Sequence, residues 1–146
     1  MKIFGYASLI SADAINQHKL GEKFTESDLQ EAKLKGYSRS WNAVDGHWRY
    51  LGLKKDSAKW TNGVIFNLEN RELPRFKQVE GVPEVYDFVD VSEDILPKQS
   101  EPVFTLVTRE PSYKGVIPAD YVQQVKAAIK HRSQAFQFAF KAQTDL

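Results

Sequence analysis

Apolar side chains recur at every second position in several short segments of this 146-residue chain, and polar turns separate those segments. A period of two is typical of β-strands that bury one face, so the pattern predicts a sheet-rich fold. The predicted strands cover residues 2–6, 29–42, 48–53, 60–68, 84–91 and 102–108. The polar run Lys54-Lys55-Asp56-Ser57 predicts a hairpin turn between the third and fourth strands, and Gly36 predicts a bend or bulge in the second.

Two segments follow a helical period instead. Asn70 can cap a short helix that tolerates Pro74 in its first turn and ends at Gly81. Pro118 begins a helix near the end of the chain. The apolar face of that helix consists of Tyr121, Val125 and Ile129, with Ala128 beside them.

Three phenylalanines leave it undecided whether the segment after this helix is a helix or a strand. Phe136, Phe138 and Phe140 are spaced two apart, as in a strand, although they continue a helical segment. With either assignment the fold class is α+β. We expect a small mixed β-barrel with flanking helices, formed by residues 1–146 as one domain.

Composition narrows the classes of function. Twenty basic and 19 acidic residues leave a net charge of +1, which gives no field that would attract nucleic acid or an anionic membrane. Cysteine is absent, so disulfides, thiol nucleophiles and cysteine-based metal sites are excluded. No signal-peptide pattern and no bilayer-length apolar segment is present in the sequence, and we expect a cytoplasmic protein with no membrane partner.

Several common catalytic and cofactor patterns are missing. The three histidines, His18, His47 and His131, do not have the spacing of zinc ligands. Ser8 lacks the flanking glycines of a nucleophile elbow. The sequence contains neither a phosphate-binding loop nor a dinucleotide-binding glycine pattern, so we expect neither a metal nor a cofactor.

Two features point to a site that binds and transforms a small anion. Residues 4–9 place small side chains after a strand, where backbone N–H groups can meet an anionic ligand such as an α-carboxylate. Glu80 ends an apolar helical face, and both a helix C-terminus and partial burial favour the protonated form of a carboxyl group. Spacing alone nevertheless fits a surface glutamate better, because carboxylates are seldom buried.

The segment at residues 4–10, FGYASLI, resembles the F-G-Y-G-S-L-I signature that opens γ-glutamylcyclotransferases, particularly the ChaC-like and AIG2-like branches. Further segments resemble motifs of that family and follow in the same order. They lie at residues 34–42, 63–68, 79–86, 111–113 and 117–121. Together they cover nearly the whole chain.

The resemblance implies a small β-barrel with flanking helices and a cofactor-independent reaction. In that reaction the α-amine of a γ-glutamyl compound attacks the compound's own γ-carbonyl, which releases 5-oxoproline and an amine or amino acid. By position, Glu80 would transfer the protons. The substrate-binding residues that the resemblance implies are Tyr6, Ala7, Ser8, Leu9, Tyr86 and Tyr113. The implied partner is a small γ-glutamyl compound. Apart from the resemblance, we expect that the chain can form a homodimer.

One departure from the signature keeps an alternative open. Ala7 stands where the family has glycine, which adds a methyl group to a loop that must approach its ligand closely. A non-catalytic module that binds a small metabolite on the same fold is therefore the main alternative. A third hypothesis, a plain β-rich interaction domain, predicts that Glu80 is exposed and remote from Ser8.

Overall fold

A curled six-stranded sheet forms half of a barrel, and the helices lie at its sides. The computed structural model describes residues 1–18 and 20–146. The strands in this part of the chain are β1 (Lys2–Gly5), β2 (Gln30–Asp45), β3 (Trp48–Asn67), β4 (Tyr86–Asp90), β5 (Ile95–Leu96) and β6 (Val103–Thr108). The α-helices among the same residues are α1 (Ala12–Asn16), α2 (Leu73–Glu80), α3 (Ala119–Ile129) and α4 (Gln134–Gln143). The expected α+β class is confirmed.

The sheet is mixed, with the strand order β4-β6-β1-β3-β2-β5. The short strand β1 pairs antiparallel with β3 and parallel with β6, so it lies near the centre. Consequently, the loop that follows β1 leaves the sheet at its middle. This placement determines where the candidate site forms.

The hairpin predicted at residues 54–57 is wrong. Residues 48–67 form one strand, β3, and the chain reverses instead at Gly46-His47, between β2 and β3. Between the pairs Lys35↔Trp60 and Tyr37↔Lys55, β2 contributes only Gly36 while β3 contributes residues 56–59, so the polar run lies beside a bulge. Gly36 has a φ of 84°, a conformation that glycine adopts at little cost, and the bulge predicted there is confirmed.

The helix predicted before Gly81 is confirmed, but the predicted cap is wrong: Asn70 lies in a preceding 3-10 helix, and α2 begins at Leu73 without a side-chain cap. Helix α2 has Pro74 in its first turn and ends where Gly81 adopts a φ of 87°, the left-handed conformation common after a helix. Phe76 is fully buried and attaches α2 to the core. Glu80 is thereby fixed at the last helical position.

The open question at the three phenylalanines is resolved in favour of a helix. In α4, Phe136 and Phe140 lie four residues apart and are buried, whereas Phe138 is 79% exposed. The hydroxyl oxygen of Ser133 accepts a hydrogen bond from the backbone N–H of Phe136 and caps the helix.

Within the described residues, no helix is long and apolar enough to cross a membrane.

Candidate active site

The carboxyl group of Glu80 lies beside the loop that follows β1. Glu80, the loop residues Gly5–Leu9 and side chains from β3, β4, β6 and α3 line one small cavity. The Glu80 side chain is 19% exposed. The interaction-domain hypothesis predicted an exposed Glu80 remote from Ser8, and this geometry contradicts it.

The loop after β1 folds tightly back on itself. A Cβ atom at Gly5 would lie 2.5 Å from the carbonyl oxygen of Leu9, so the loop requires glycine at position 5. Ala7 has a φ of −129°, which lies outside the left-handed region. The alanine that replaces the glycine of the signature therefore does not need a left-handed backbone.

Two buried tyrosines and a partly buried one line the cavity. The hydroxyl of Tyr6 donates a hydrogen bond to the carbonyl oxygen of Leu106 at 2.7 Å, and that of Tyr86 donates to the carbonyl oxygen of Leu51 at 2.9 Å. The third is Tyr121 from α3. Burial raises the pKa of all three hydroxyls, and the negative charge of Glu80 adds to the rise, so the phenols stay protonated at neutral pH.

The cavity has a volume of about 30 Å³. Ligand pockets for small molecules typically have volumes of about 300–1,000 Å³. The side chains of Tyr6, Leu9, Tyr86 and Tyr121 line this small space together with Glu80.

A histidine that the sequence analysis had considered only as a metal ligand contacts Glu80 directly. His18 Nε2 lies 2.8 Å from Glu80 Oε1, and the His18 side chain is 13% exposed. His18 Nδ1 lies 3.2 Å from the carbonyl oxygen of Ala14 in α1, and the ring stacks on Phe76 of α2. Helix α1 thus brings His18 to the end of α2.

Burial lowers the pKa of His18, but the hydrogen bond to Glu80 and the charge of Glu80 more than offset this effect. The net result is a pKa above the ordinary value for histidine. His18 is 62 residues from Glu80 in sequence, so no local spacing could have indicated the pair. Tyr121 was predicted as part of an apolar helix face and of the motif at residues 117–121, and not as a site residue.

Tyr113 is not brought to this cavity. It is 57% exposed and lines a separate, larger cavity of about 610 Å³, together with Trp41 and Trp60. Of the residues that the resemblance implied, the structure gathers Tyr6, Ala7, Ser8, Leu9, Tyr86 and Glu80 around one cavity and leaves Tyr113 outside it.

The buried guanidinium of Arg39 holds the loop from behind. Its Nη1 donates to the carbonyl oxygens of Tyr6 at 3.0 Å and of Asn62 at 2.7 Å. Its remaining nitrogens donate to the side chains of Asn62, Gln143 and Thr144. Burial lowers the pKa of Arg39 to about 9, so the group remains a cation at neutral pH.

A bound metal ion would need a cluster of ligating side chains. In residues 1–18 and 20–146, no group of three or more histidine, aspartate or glutamate side chains is arranged to hold one. The carboxyl group of Glu80, which lines the cavity, is a group that can accept and donate a proton.

Comparison with solved structures places this architecture among known folds. YkqA from Bacillus subtilis superposes with a TM-score of 0.74 at 17% identity, over 97% of this chain and 53% of that protein. A protein described as gamma-glutamyl cyclotransferase gives a TM-score of 0.72 at 13% identity, covering 97% of this chain and 86% of that one. The uncharacterized protein loc79017 from Homo sapiens gives 0.73 at 13% identity, with the same coverage.

These similarities show that the chain has the γ-glutamylcyclotransferase-like fold, as the sequence resemblance implied. The chain spans about half the length of YkqA. No family model matches the sequence, and no curated protein matches it.

Proposed function

We propose that this chain, which has the γ-glutamylcyclotransferase-like fold, converts a small γ-glutamyl compound into 5-oxoproline, with Glu80 as its proton-transfer residue. The observation that carries the proposal is the position of the Glu80 carboxyl group, which lines the same cavity as the loop Gly5–Leu9. A γ-glutamyl cyclotransferase among proteins of the same fold adds support.

The proposed reaction uses these residues as follows. The α-nitrogen of the substrate attacks its own γ-carbonyl carbon, which forms the ring C–N bond, and the bond from that carbon to the leaving nitrogen then breaks. Glu80 takes a proton from the α-nitrogen and returns one to the leaving nitrogen, so protons balance and no co-reactant is consumed. Backbone N–H groups of residues 6–9 would stabilise the developing oxyanion.

Because nucleophile and electrophile belong to one molecule, holding the substrate folded supplies much of the rate. Effective molarities of about 10⁵ M or more are known for well-oriented intramolecular reactions. The volume of about 30 Å³ is too small for a γ-glutamyl group, so the cavity must widen when substrate binds. Tyr6 and Tyr86 are tied to strand carbonyls, and Arg39 holds the loop at the carbonyl of Tyr6, so we expect residues 7–9 and Tyr121 of α3 to make room for the substrate.

The test is release of 5-oxoproline from a panel containing glutathione, γ-glutamyl amino acids and γ-glutamyl amines. We expect turnover of at least one compound and a loss of about 100-fold or more in kcat for Glu80→Gln, as expected when an acid-base group is removed. Glu84→Gln is the matched control, because Glu84 is an exposed carboxylate four residues away. Absence of 5-oxoproline from every compound, or full activity of Glu80→Gln, contradicts the proposal.

The small volume of the cavity favours a second candidate, a non-catalytic module that binds a small metabolite. Three protonated tyrosines and Leu9 occupy the space that a substrate would need. This candidate predicts calorimetric binding of 5-oxoproline or a γ-glutamyl compound without turnover. Any turnover that depends on Glu80 excludes it.

A further inference from the structure

The contacts of the His18 ring determine how many protons the His18–Glu80 pair carries. Nδ1 faces the carbonyl oxygen of Ala14 at 3.2 Å, and Nε2 faces Oε1 of Glu80 at 2.8 Å. A carbonyl oxygen only accepts hydrogen bonds, so Nδ1 must carry a hydrogen. A hydrogen must also lie between Nε2 and Oε1, because otherwise two lone pairs would face each other at hydrogen-bond distance.

The pair therefore holds one more proton than a neutral ring beside an ionised carboxylate. With that proton on Nε2, His18 is an imidazolium that donates a charge-assisted hydrogen bond to Glu80. Phe76 covers one face of the ring, and the two side chains are 13% and 19% exposed, so solvent screens this contact only in part.

The groups that face the ring favour this protonated form. Among the described residues, helix α2 contributes the carboxylate of Glu80, which favours the protonated ring. The same helix contributes the cationic Arg75, which disfavours it and whose Nε donates to the backbone carbonyl of His18. Helix α1 contributes the carbonyl oxygen of Ala14. Tyr6, Tyr86 and Tyr121, on the cavity side of Glu80, stay neutral.

We propose that His18 is the positioning residue of the site: as an imidazolium it holds Oε1 of Glu80, so that Oε2 is directed to the substrate nitrogen. This inference rests on the proposed function. It adds a pH limit to the reaction, because a ring that has lost its Nε2 proton can no longer donate to Glu80. The carboxylate then loses its fixed orientation, and turnover decreases as the pH rises through the ionisation of His18.

The kinetic test compares the pH profiles of kcat for the wild type and two variants. The wild type should show a decrease in kcat above the pKa of His18, which lies above 6.5. His18→Gln retains an N–H donor that does not titrate, so it should keep much of the activity and lose this decrease. His18→Leu removes the donor and should lower kcat about 100-fold at all pH values, the loss that a misplacement of about 1 Å can cause. Identical profiles for the wild type and His18→Gln would overturn the proposal.

A second measurement does not depend on turnover. The imidazole nitrogens of His18 are titrated by NMR in the wild type and in Glu80→Gln, with the His18 signals assigned by their loss in His18→Gln. We expect the pKa of His18 to fall when Glu80 is made neutral. An unchanged pKa refutes the pair whatever the activity. A lowered pKa in a protein that makes no 5-oxoproline upholds the ionic pair and refutes the proposed function.

Discussion

Arg39 donates a hydrogen bond from Nη1 to the carbonyl oxygen of Tyr6, and the ring of Phe140 lies 3.6 Å from its guanidinium carbon. The loop that lines the candidate site is therefore connected through one buried cation to the last helix, α4. The partners of Arg39 are neutral oxygens and an aromatic face, and the five hydrogen bonds hold the guanidinium in place. Residues near the end of the chain thus help to determine the shape of the site near its beginning.

Replacing Arg39 by methionine should destabilise the protein. The substitution leaves buried oxygens of Tyr6, Asn62 and Thr144 without their donor, and each such group costs about 1–3 kcal/mol. We expect the free energy of unfolding, measured by urea denaturation, to fall by at least about 3 kcal/mol. Arg109→Met is the control, because Arg109 is 51% exposed and its loss should cost about 1 kcal/mol or less. Equal effects of the two substitutions would show that the network does not stabilise the fold.

Helix α4 offers a matched pair of phenylalanines. Phe140 is fully buried and lies against Arg39, whereas Phe138 is 79% exposed. Phe140→Ala should lower the free energy of unfolding by about 3–5 kcal/mol, and Phe138→Ala should change it by about 0.5 kcal/mol or less. Thermal denaturation of both variants checks this expectation. A large loss from Phe138→Ala would mean that its ring is covered in solution.

The phenylalanines of α4 also show why part of the fold was not predictable from the sequence. The spacing of Phe136, Phe138 and Phe140 fits a strand, and only the burial of the first and third against the sheet shows that they occupy one helical face. Similarly, the polar residues 54–57 have the composition of a turn. Both flanks of this segment pair with the same strand β2, and that long-range pairing makes it part of a bulge instead.

The candidate site also contains residues that could be predicted from the sequence and residues that could not. Glu80 and the loop Gly5–Leu9 could be predicted, because a helix end at Gly81 and an ordered set of motifs are local features. The contact of His18 with Glu80 depends on how α1 packs beside α2, and no sequence spacing records it. Tyr113 shows the reverse case, since its motif matches while the fold places the residue outside the cavity.

The loop after β1 allows a test of its close packing. Gly5→Ala would place a Cβ atom 2.5 Å from the carbonyl oxygen of Leu9, so the loop must shift. We expect a loss of about 1–3 kcal/mol in stability, as for other overpacked positions, and a lower rate of 5-oxoproline formation.

Ala7→Gly is the control for the same loop. The φ of Ala7 is −129°, outside the left-handed region, so glycine is not required there and should cost about 0.4–1 kcal/mol through added freedom of the unfolded chain. If Ala7→Gly raises activity strongly, the methyl group of Ala7 obstructs the substrate and the alanine matters for function.

The His18–Glu80 pair should make stability depend on pH in a defined direction. The pKa of His18 is raised in the folded protein above its unfolded value of about 6.5, so the folded state binds the proton more tightly. The stabilisation that the protonated His18 gives to the folded protein is therefore complete below about pH 6.5, and it is lost as the pH rises through the pKa of His18 in the folded protein. We expect the difference in free energy of unfolding between the wild type and His18→Gln to narrow as the pH rises above about 6.5, measured by urea denaturation at each pH. In a Glu80→Gln background, the difference in free energy of unfolding between His18 and His18→Gln should not narrow, because the ring then has no carboxylate partner. If the difference still narrows there, the pH dependence comes from another group.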